Sequence, residues 1–396
     1  MTTDTFSAGA RWRSLIAVTS SAMTVGLVIG LAAPLIALVL ERRGVDTVLN
    51  GFNAAMPAIA IFLAGPLVPR IIARVGAFPT MVTGALLTSA MLALFPVFDS
   101  VTAWFVLRFV LGLGGSLHWI TSETWINTLA TEETRGRAVA LYATLWGLGV
   151  AIGPQVLRLT GTEGALPFLF GAGLTALATL PLFLARGLAP RLAHEAPGGH
   201  LFAHVFRQAP MVLGAAFVCG FAETSAGGLL PLFALRIGFD EGGAVLMLSL
   251  AALGGVGLQP VIGWLADRMD RRRLLGANTL VGLACALALP AVAGNPWLLW
   301  PILFVLGGSV AAYYTLGLIL LGQRFGGAEI AGANTAFIMA YTLGMVIGPT
   351  AAGAAMDAWN PHGLLAALAF VFASYYVLCM FAKRPAHHGP AHHGMD

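Results

Sequence analysis

The chain has 396 residues, of which 58% are hydrophobic and only 10% charged, with a mean hydropathy of +0.85. Soluble domains carry about a quarter charged residues, so this composition excludes an ordinary soluble protein and places the chain in a bilayer. The net charge of +4 is too weak and dispersed to imply nucleic acid, and Cys219, Cys285 and Cys379 have neither CxxC nor metal spacing, so no disulfide framework is expected.

A spanning helix needs about 20 mostly apolar residues. Cutting the chain at charges, Asn-Pro and glycine-rich punctuation predicts twelve: 14–40, 50–72, 79–98, 101–128, 136–160, 165–185, 209–235, 242–266, 273–293, 297–322, 329–356 and 361–382. The runs are continuous, whereas the strands of an outer-membrane barrel alternate over about ten residues. The predicted fold is therefore an all-α membrane protein. The first run is long and no small-residue cleavage site follows it, so it reads as a retained helix rather than a signal peptide.

Residues 187–208 form the longest break and contain Pro190, Pro197, Gly198 and Gly199. They divide the spans six and six: an N-terminal bundle (1–186), a cytoplasmic linker (187–208) and a C-terminal bundle with a short histidine-rich tail (209–396). Lys and Arg assigned alternately to the two sides fall sixteen on the side of the termini and four on the other (Arg42, Arg43, Arg158 and Arg236), with Arg108 inside a span. The excess of cations marks the cytoplasmic side, so both termini are expected there, in a bacterial inner membrane.

The two halves echo each other. Gly149-Val150-Ala151-Ile152-Gly153-Pro154 in the fifth span matches Gly344-Met345-Val346-Ile347-Gly348-Pro349 in the eleventh, an offset of 195, and Gly65-Pro66-Leu67 matches Gly263-Trp264-Leu265, an offset of 198. A parallel duplication of six-helix units is the sequence mark of one transporter architecture.

At this point the chain resembles the major facilitator superfamily over nearly its whole length. After the eighth span, Gly263-Trp264-Leu265-Ala266-Asp267-Arg268-Met269-Asp270-Arg271-Arg272 resembles the family's loop motif G-x-L-a-D-r-x-g-r-r. Arg108-Phe109-Val110-Leu111-Gly112-Leu113-Gly114 resembles its fourth-span pattern R-x-x-q-G-x-G, and Gly149-x-x-x-Gly153-Pro154 its fifth-span antiporter motif. Ser122-Glu123-Thr124-Trp125-Ile126-Asn127, followed by Arg135-Gly136-Arg137 and Leu141-Tyr142, is most similar to the YcaD-like group of bacterial facilitators. The resemblance implies two pseudo-symmetric six-helix bundles working by alternating access, and the antiporter motif implies export. Two positions depart from the pattern: the first copy of the loop motif has Pro69 in place of its acid, and Leu111 replaces the glutamine before Gly112.

A charge at the bilayer centre costs about 2.5–3.5 kcal/mol, so intramembrane ionisable groups mark functional sites by default. Glu223, followed by Thr224 and Ser225, sits near the middle of the seventh span, where desolvation disfavours its charged form. A proton-coupling group needs that property, and a protonated carboxyl bonded to a neighbouring helix shares it. On the fourth span Arg108, Gly112, Gly115, Trp119 and Glu123 fall within roughly 60° at about 100° per residue, with His118 roughly 80° away. Arg108 reads as a substrate counter-charge or as a pin between helices. Glu123 lies near the cytoplasmic end of its span, where solvent also reaches, and His118 reads as a relay or as an ordinary packed histidine.

The remaining polar residues line a predicted cavity: Asn53, Gln155, Gln259, Tyr313, Tyr314, Asn334 and Tyr341, with Trp119, while Thr19, Ser20 and Thr24 serve equally as helix glue. An aromatic, sparsely charged cavity suits a small amphiphilic solute better than a sugar. Asp267, with Arg268, is expected to close the cytoplasmic side as a latch, capping a helix start in the other half and pairing with Arg135 or Arg137. Gly149, Gly153 and Pro154, with Gly344, Gly348 and Pro349, are expected to set helix bending and close packing. The tail His387–His393 is assigned no metal, and no cofactor is expected. Without a P-loop, nucleophile elbow or HExxH, ATP-driven transport and an intramembrane enzyme are disfavoured. The expected function is a monomeric, proton-coupled exporter of a small organic solute. Uptake of a metabolite or organic anion, or a non-transporting sensor on the same fold, are the alternatives.

Overall fold

A computed structural model describes residues 8–129, 135–188, 201–325 and 329–381. Its twelve spans are Gly9–Arg42, Thr47–Val75, Ala77–Val97, Val101–Leu129, Arg137–Thr160, Leu166–Phe183, Pro210–Arg236, Glu241–Arg268, Arg271–Val292, Pro296–Arg324, Gly332–Ala358 and Gly363–Phe381. Among the described residues there is no strand. Lipid leaves no partner for a free backbone N–H or C=O, and a helix satisfies them within the segment. With an even number of spans, the first span begins and the last span ends at the same end of the bundle, the terminal end; the other is the far end.

Proline interrupts the second span at Gly65–Leu67 and the eighth at Leu258, before Gln259-Pro260. The two breaks fall at equivalent places in the halves. The eighth, ninth and tenth spans start on caps from their own chain segment: Asp240 accepts from the Gly243 amide, Asp270 from Arg273 and Asn295 from Trp297. The second span follows Asp46, which makes no such bond.

The repeat reappears as packing. A Cβ added to Gly149 or Gly153 would strike the carbonyls of Met23 and Leu27 in the first span. In the second half, one on Gly344 or Gly348 would strike those of Phe217 and Phe221 in the seventh. Glycine removes the side chain so that two backbones touch, as small residues do between membrane helices. These glycines thus serve close approach, at the same register in both halves. Gly153→Leu is expected to cost at least about 1–3 kcal/mol through overpacking. Thermal melting in detergent checks this against Gly173→Leu, which has open space around it and should melt like the parent.

Candidate functional site

Contacts between the halves concentrate toward the far end. Gly51 of the second span seats on the backbone of Pro349, Gly353 on Thr47, and Gly228 of the seventh span on the Ala54 methyl. Ala37 joins the core of the second half, and Val245 joins the core of the first.

Above these contacts lies a polar lock. The Arg236 guanidinium donates from Nε to Glu41 Oε1 at 3.0 Å and from Nη2 to Glu41 Oε2 at 3.1 Å. It also reaches Thr47 Oγ1 at 2.7 Å and Asn360 Oδ1 at 3.1 Å. Arg42 Nη1 bonds Glu241 Oε1 at 2.7 Å and Thr162 Oγ1 at 2.8 Å, while the Thr162 hydroxyl donates to Glu241. Asp357 accepts from the Thr47 amide at 3.2 Å and the Val48 amide at 2.9 Å. The second span is therefore capped by the opposite half, and a carboxylate there also complements the helix dipole. Glu41 and Arg236 are 195 residues apart, the repeat offset, so each occupies the other's position in its own half. Thr162 and Asp357 are related by the same offset.

Lower down, between the halves, is the group that carries the chemistry. The Tyr341 hydroxyl donates to Glu223 Oε2 at 2.8 Å. Glu223 is nonetheless solvent-exposed in the middle of its span. Tyr314 stands edge-on to Tyr341, ring centroids 5.5 Å apart. From the first half, Trp119 stacks on Trp146 at 6.5 Å, donates from its indole to Glu123 Oε1 at 3.0 Å, and packs against the core of the second half. Gly115, one turn before Trp119, has open space around it. Both the exposed Glu223 and the open space at Gly115 lie on the terminal side of the far-end lock.

The other residues singled out from the sequence go elsewhere. His118 does not face the cavity: it is fully buried in the seam between the first and fourth spans, bonded to Ser21 at 2.9 Å. Tyr313 is also turned away, fully buried and stacked on Phe372 at 5.8 Å, because one residue rotates a helix face by about 100°. Gln155 is interhelix glue between the halves, donating to Ser249 Oγ at 2.8 Å, and Gln259 accepts from Thr315 at 2.7 Å within the second half. Asn334 is exposed. Arg108 is 6% exposed, and its Nε and both polar atoms of Asn53 are buried without a hydrogen-bond partner among the described residues. Gly112 seats on Pro57, which puts Arg108 and Asn53, one turn earlier on helices running the same way, in a common seam.

Asp267 and Arg137 are exposed, and Asp267 makes no hydrogen bond or ion pair among the described residues. Arg268 lies over the ring of its own span's Trp264 at 4.2 Å. The Arg135 side chain, positions 189–200 of the linker and the histidine tail lie outside the described residues. The far-end lock went unread in the sequence, where Arg42 and Arg236 entered only as minority-side cations. Its signal was present: Glu41 and Arg236 are opposite charges at the repeat offset.

A family model described as Major Facilitator Superfamily matches residues 18–310 and 212–395. A Bacillus subtilis (strain 168) protein named Uncharacterized MFS-type transporter YfkF is 27% identical over 89% of this chain and 91% of its own. The Uncharacterized MFS-type transporter YcaD of Escherichia coli O17:K52:H18 is 25% identical over 72% and 73%. Among solved structures, the nucleoside transporter NupG superposes with a TM-score of 0.75 at 14% identity, covering 94% of this chain and 97% of that one. A bacterial homolog of the human lysosomal transporter Spinster, in its inward-facing and unoccupied conformation, gives 0.70 at 16% identity over 94% and 95%. At these identities the superpositions show the shared fold.

Proposed function

The chain belongs to the Major Facilitator Superfamily, a family of transporters rather than enzymes, and from that premise we propose that it exports a small organic solute in exchange for protons. The observation that carries this reading is the Glu223 carboxylate, open to the cavity at mid-span and held by the Tyr341 hydroxyl. A carboxyl that exchanges its proton with cavity water and resists carrying charge into the bilayer couples proton movement to a conformational change. The sixteen-to-four division of cations supports a cytoplasmic terminal end. The described conformation is then inward-open, with the far-end lock on the periplasmic side.

Purified protein in proteoliposomes with an internal pH dye tests the reading. In antiport, solute and protons move in opposite directions; co-directional movement overturns it. That second outcome supports uptake of an organic anion, which the buried Nε of Arg108, without a partner among the described residues, favours as a counter-charge site.

The cytoplasmic latch is part of the same proposal. Asp267 engages the opposite half only when the terminal end closes, in keeping with its having no hydrogen bond or ion pair among the described residues in this conformation. Asp267→Asn is expected to favour the inward-open form by about 1 kcal/mol, roughly fivefold, the worth of a carboxylate at a helix N-terminus. Accessibility of Gly115→Cys to a thiol reagent added at the cytoplasmic side reads the shift, and an unchanged labelling rate removes the latch.

A further inference from the structure

The central cavity has a charge imbalance that the transport reading does not use. Counting 1.5 Å per residue from the end of each helix nearest the termini, Trp119 and Tyr314 lie about 15 Å deep, Trp146 about 16 Å and Tyr341 about 18 Å. On the same scale Glu123 lies about 9 Å deep and Glu223 about 20 Å, so the four rings fill the depth between the two carboxylates. Glu123 comes from the first half and bonds Trp119, which packs against the core of the second half, while Glu223 comes from the second half and bonds Tyr341, edge-on to Tyr314. The two acids therefore lie on opposite sides of the seam between the halves, each beside an aromatic pair.

Each carboxylate is bonded, among the described residues, only by a neutral donor, the Trp119 indole on Glu123 and the Tyr341 phenol on Glu223. The titratable groups near Glu223 among the described residues are Tyr341, Tyr314 and Cys219, and those near Glu123 are Tyr142 and Tyr314. Among the described residues no Lys, Arg or His pairs with either acid. Arg108 lies about 31 Å deep, some 11 Å beyond Glu223 toward the far end. Two acids with no cation paired to them among the described residues, spaced by aromatic faces and edges, make a poor site for an anion. They make a good one for a positive charge on an apolar body, since an ammonium or phosphonium gains both from the carboxylates and from the negative ring faces.

We propose that the cavity binds an amphiphilic organic cation between the Trp119–Trp146 pair and the Tyr314–Tyr341 pair, with Glu223 and Glu123 as its counter-charges. This rests on the transport reading for the cavity's purpose and names the substrate class. A cation and a proton then compete for the same carboxylates: the arriving cation meets an ionised acid whose proton has left to solvent, and re-protonation releases the cation. That exclusion is the chemical basis of an exchange.

The test uses the full chain purified in detergent, with tetraphenylphosphonium and tetrapropylammonium as cations and tetraphenylborate as the anion of nearly the same shape as the first. Binding is read as a concentration-dependent rise in Tm. We expect at least one cation to bind and tetraphenylborate not to. Glu223→Gln should weaken cation binding roughly tenfold or more, as loss of a desolvated charge partner does, and Glu223→Asp should retain it. Glu123→Gln should weaken it less, and lowering the pH should weaken it in the parent protein. The ligand-free Tm of each variant reports whether it folds, and the Asp variant keeps the test valid if Gln does not. Equal binding of tetraphenylborate, cation binding indifferent to both Gln variants, or no binding of either cation overturns the proposal. Failure here alongside solute-driven proton flux sinks the cation site alone, whereas cation binding with no flux in either direction sinks the transport reading alone.

Discussion

Arg236→Ala opens the far end. The arginine places both arms of its fork on Glu41, with the two side chains only 19% and 23% exposed, and also holds Thr47 and Asn360. A hydrogen bond to a charged group contributes about 1.5–3 kcal/mol. Truncation also strands Glu41 without its cation. Loss of about 2 kcal/mol changes the open-to-closed ratio roughly thirtyfold, within the range of known conformational couplings. The measurement is labelling of Ala54→Cys, which sits in the seam below the lock, by an impermeant maleimide, in a background without Cys219, Cys285 and Cys379. Labelling from the far side should accelerate at least tenfold. Because Glu41 and Arg236 are positional equivalents across the repeat, exchanging them as Glu41→Arg with Arg236→Glu should restore the closed state. Failure of the exchange would mean that Thr47 and Asn360, rather than the ion pair, hold the arginine's contribution.

Glu223→Gln is expected to abolish accumulation driven by a pH gradient, down to the level of protein-free vesicles. The amide keeps the size of the side chain and still accepts from Tyr341, so the variant should fold and keep solute-for-solute exchange at solute concentrations raised to offset its weaker binding. It has no proton to carry. Tyr341→Phe leaves the carboxyl in place and should retain coupled flux at a lower rate, since it removes only the hydroxyl that positions the acid. A Glu223→Gln protein that still responds to the gradient with an unchanged pH profile would move the coupling role elsewhere, and Glu123, the other acid of the cavity, is the next group to replace.

Much of the fold was legible because the membrane acts on each segment separately. Hydrophobic length, the asymmetry of arginines and the echo between the fifth and eleventh spans each need only local counting. The cavity was legible in part. Glu223, Glu123, Trp119 and Tyr341 were picked out as polar or aromatic residues inside spans, and the structure brings them to one space. The same rule also picked out His118, Tyr313, Gln155 and Gln259, which serve seams and cores. Chemical type alone does not separate these groups, since a buried seam and a wet cavity both attract residues that hydrogen-bond.

By itself, the sequence determined that this protein crosses a membrane twelve times as two related halves, because desolvation of charge and backbone leaves an apolar chain of this pattern no other arrangement. Tertiary structure alone decided which of two adjacent tyrosines faces the cavity, that Asp357 caps a helix in the opposite half, and that the far end is sealed by residues counted before only as stray charges. Those outcomes depend on the rotation of each helix about its axis and on how one half docks against the other, and both are set by contacts between residues far apart in the chain, 195 positions for Glu41 and Arg236 and 310 for Thr47 and Asp357.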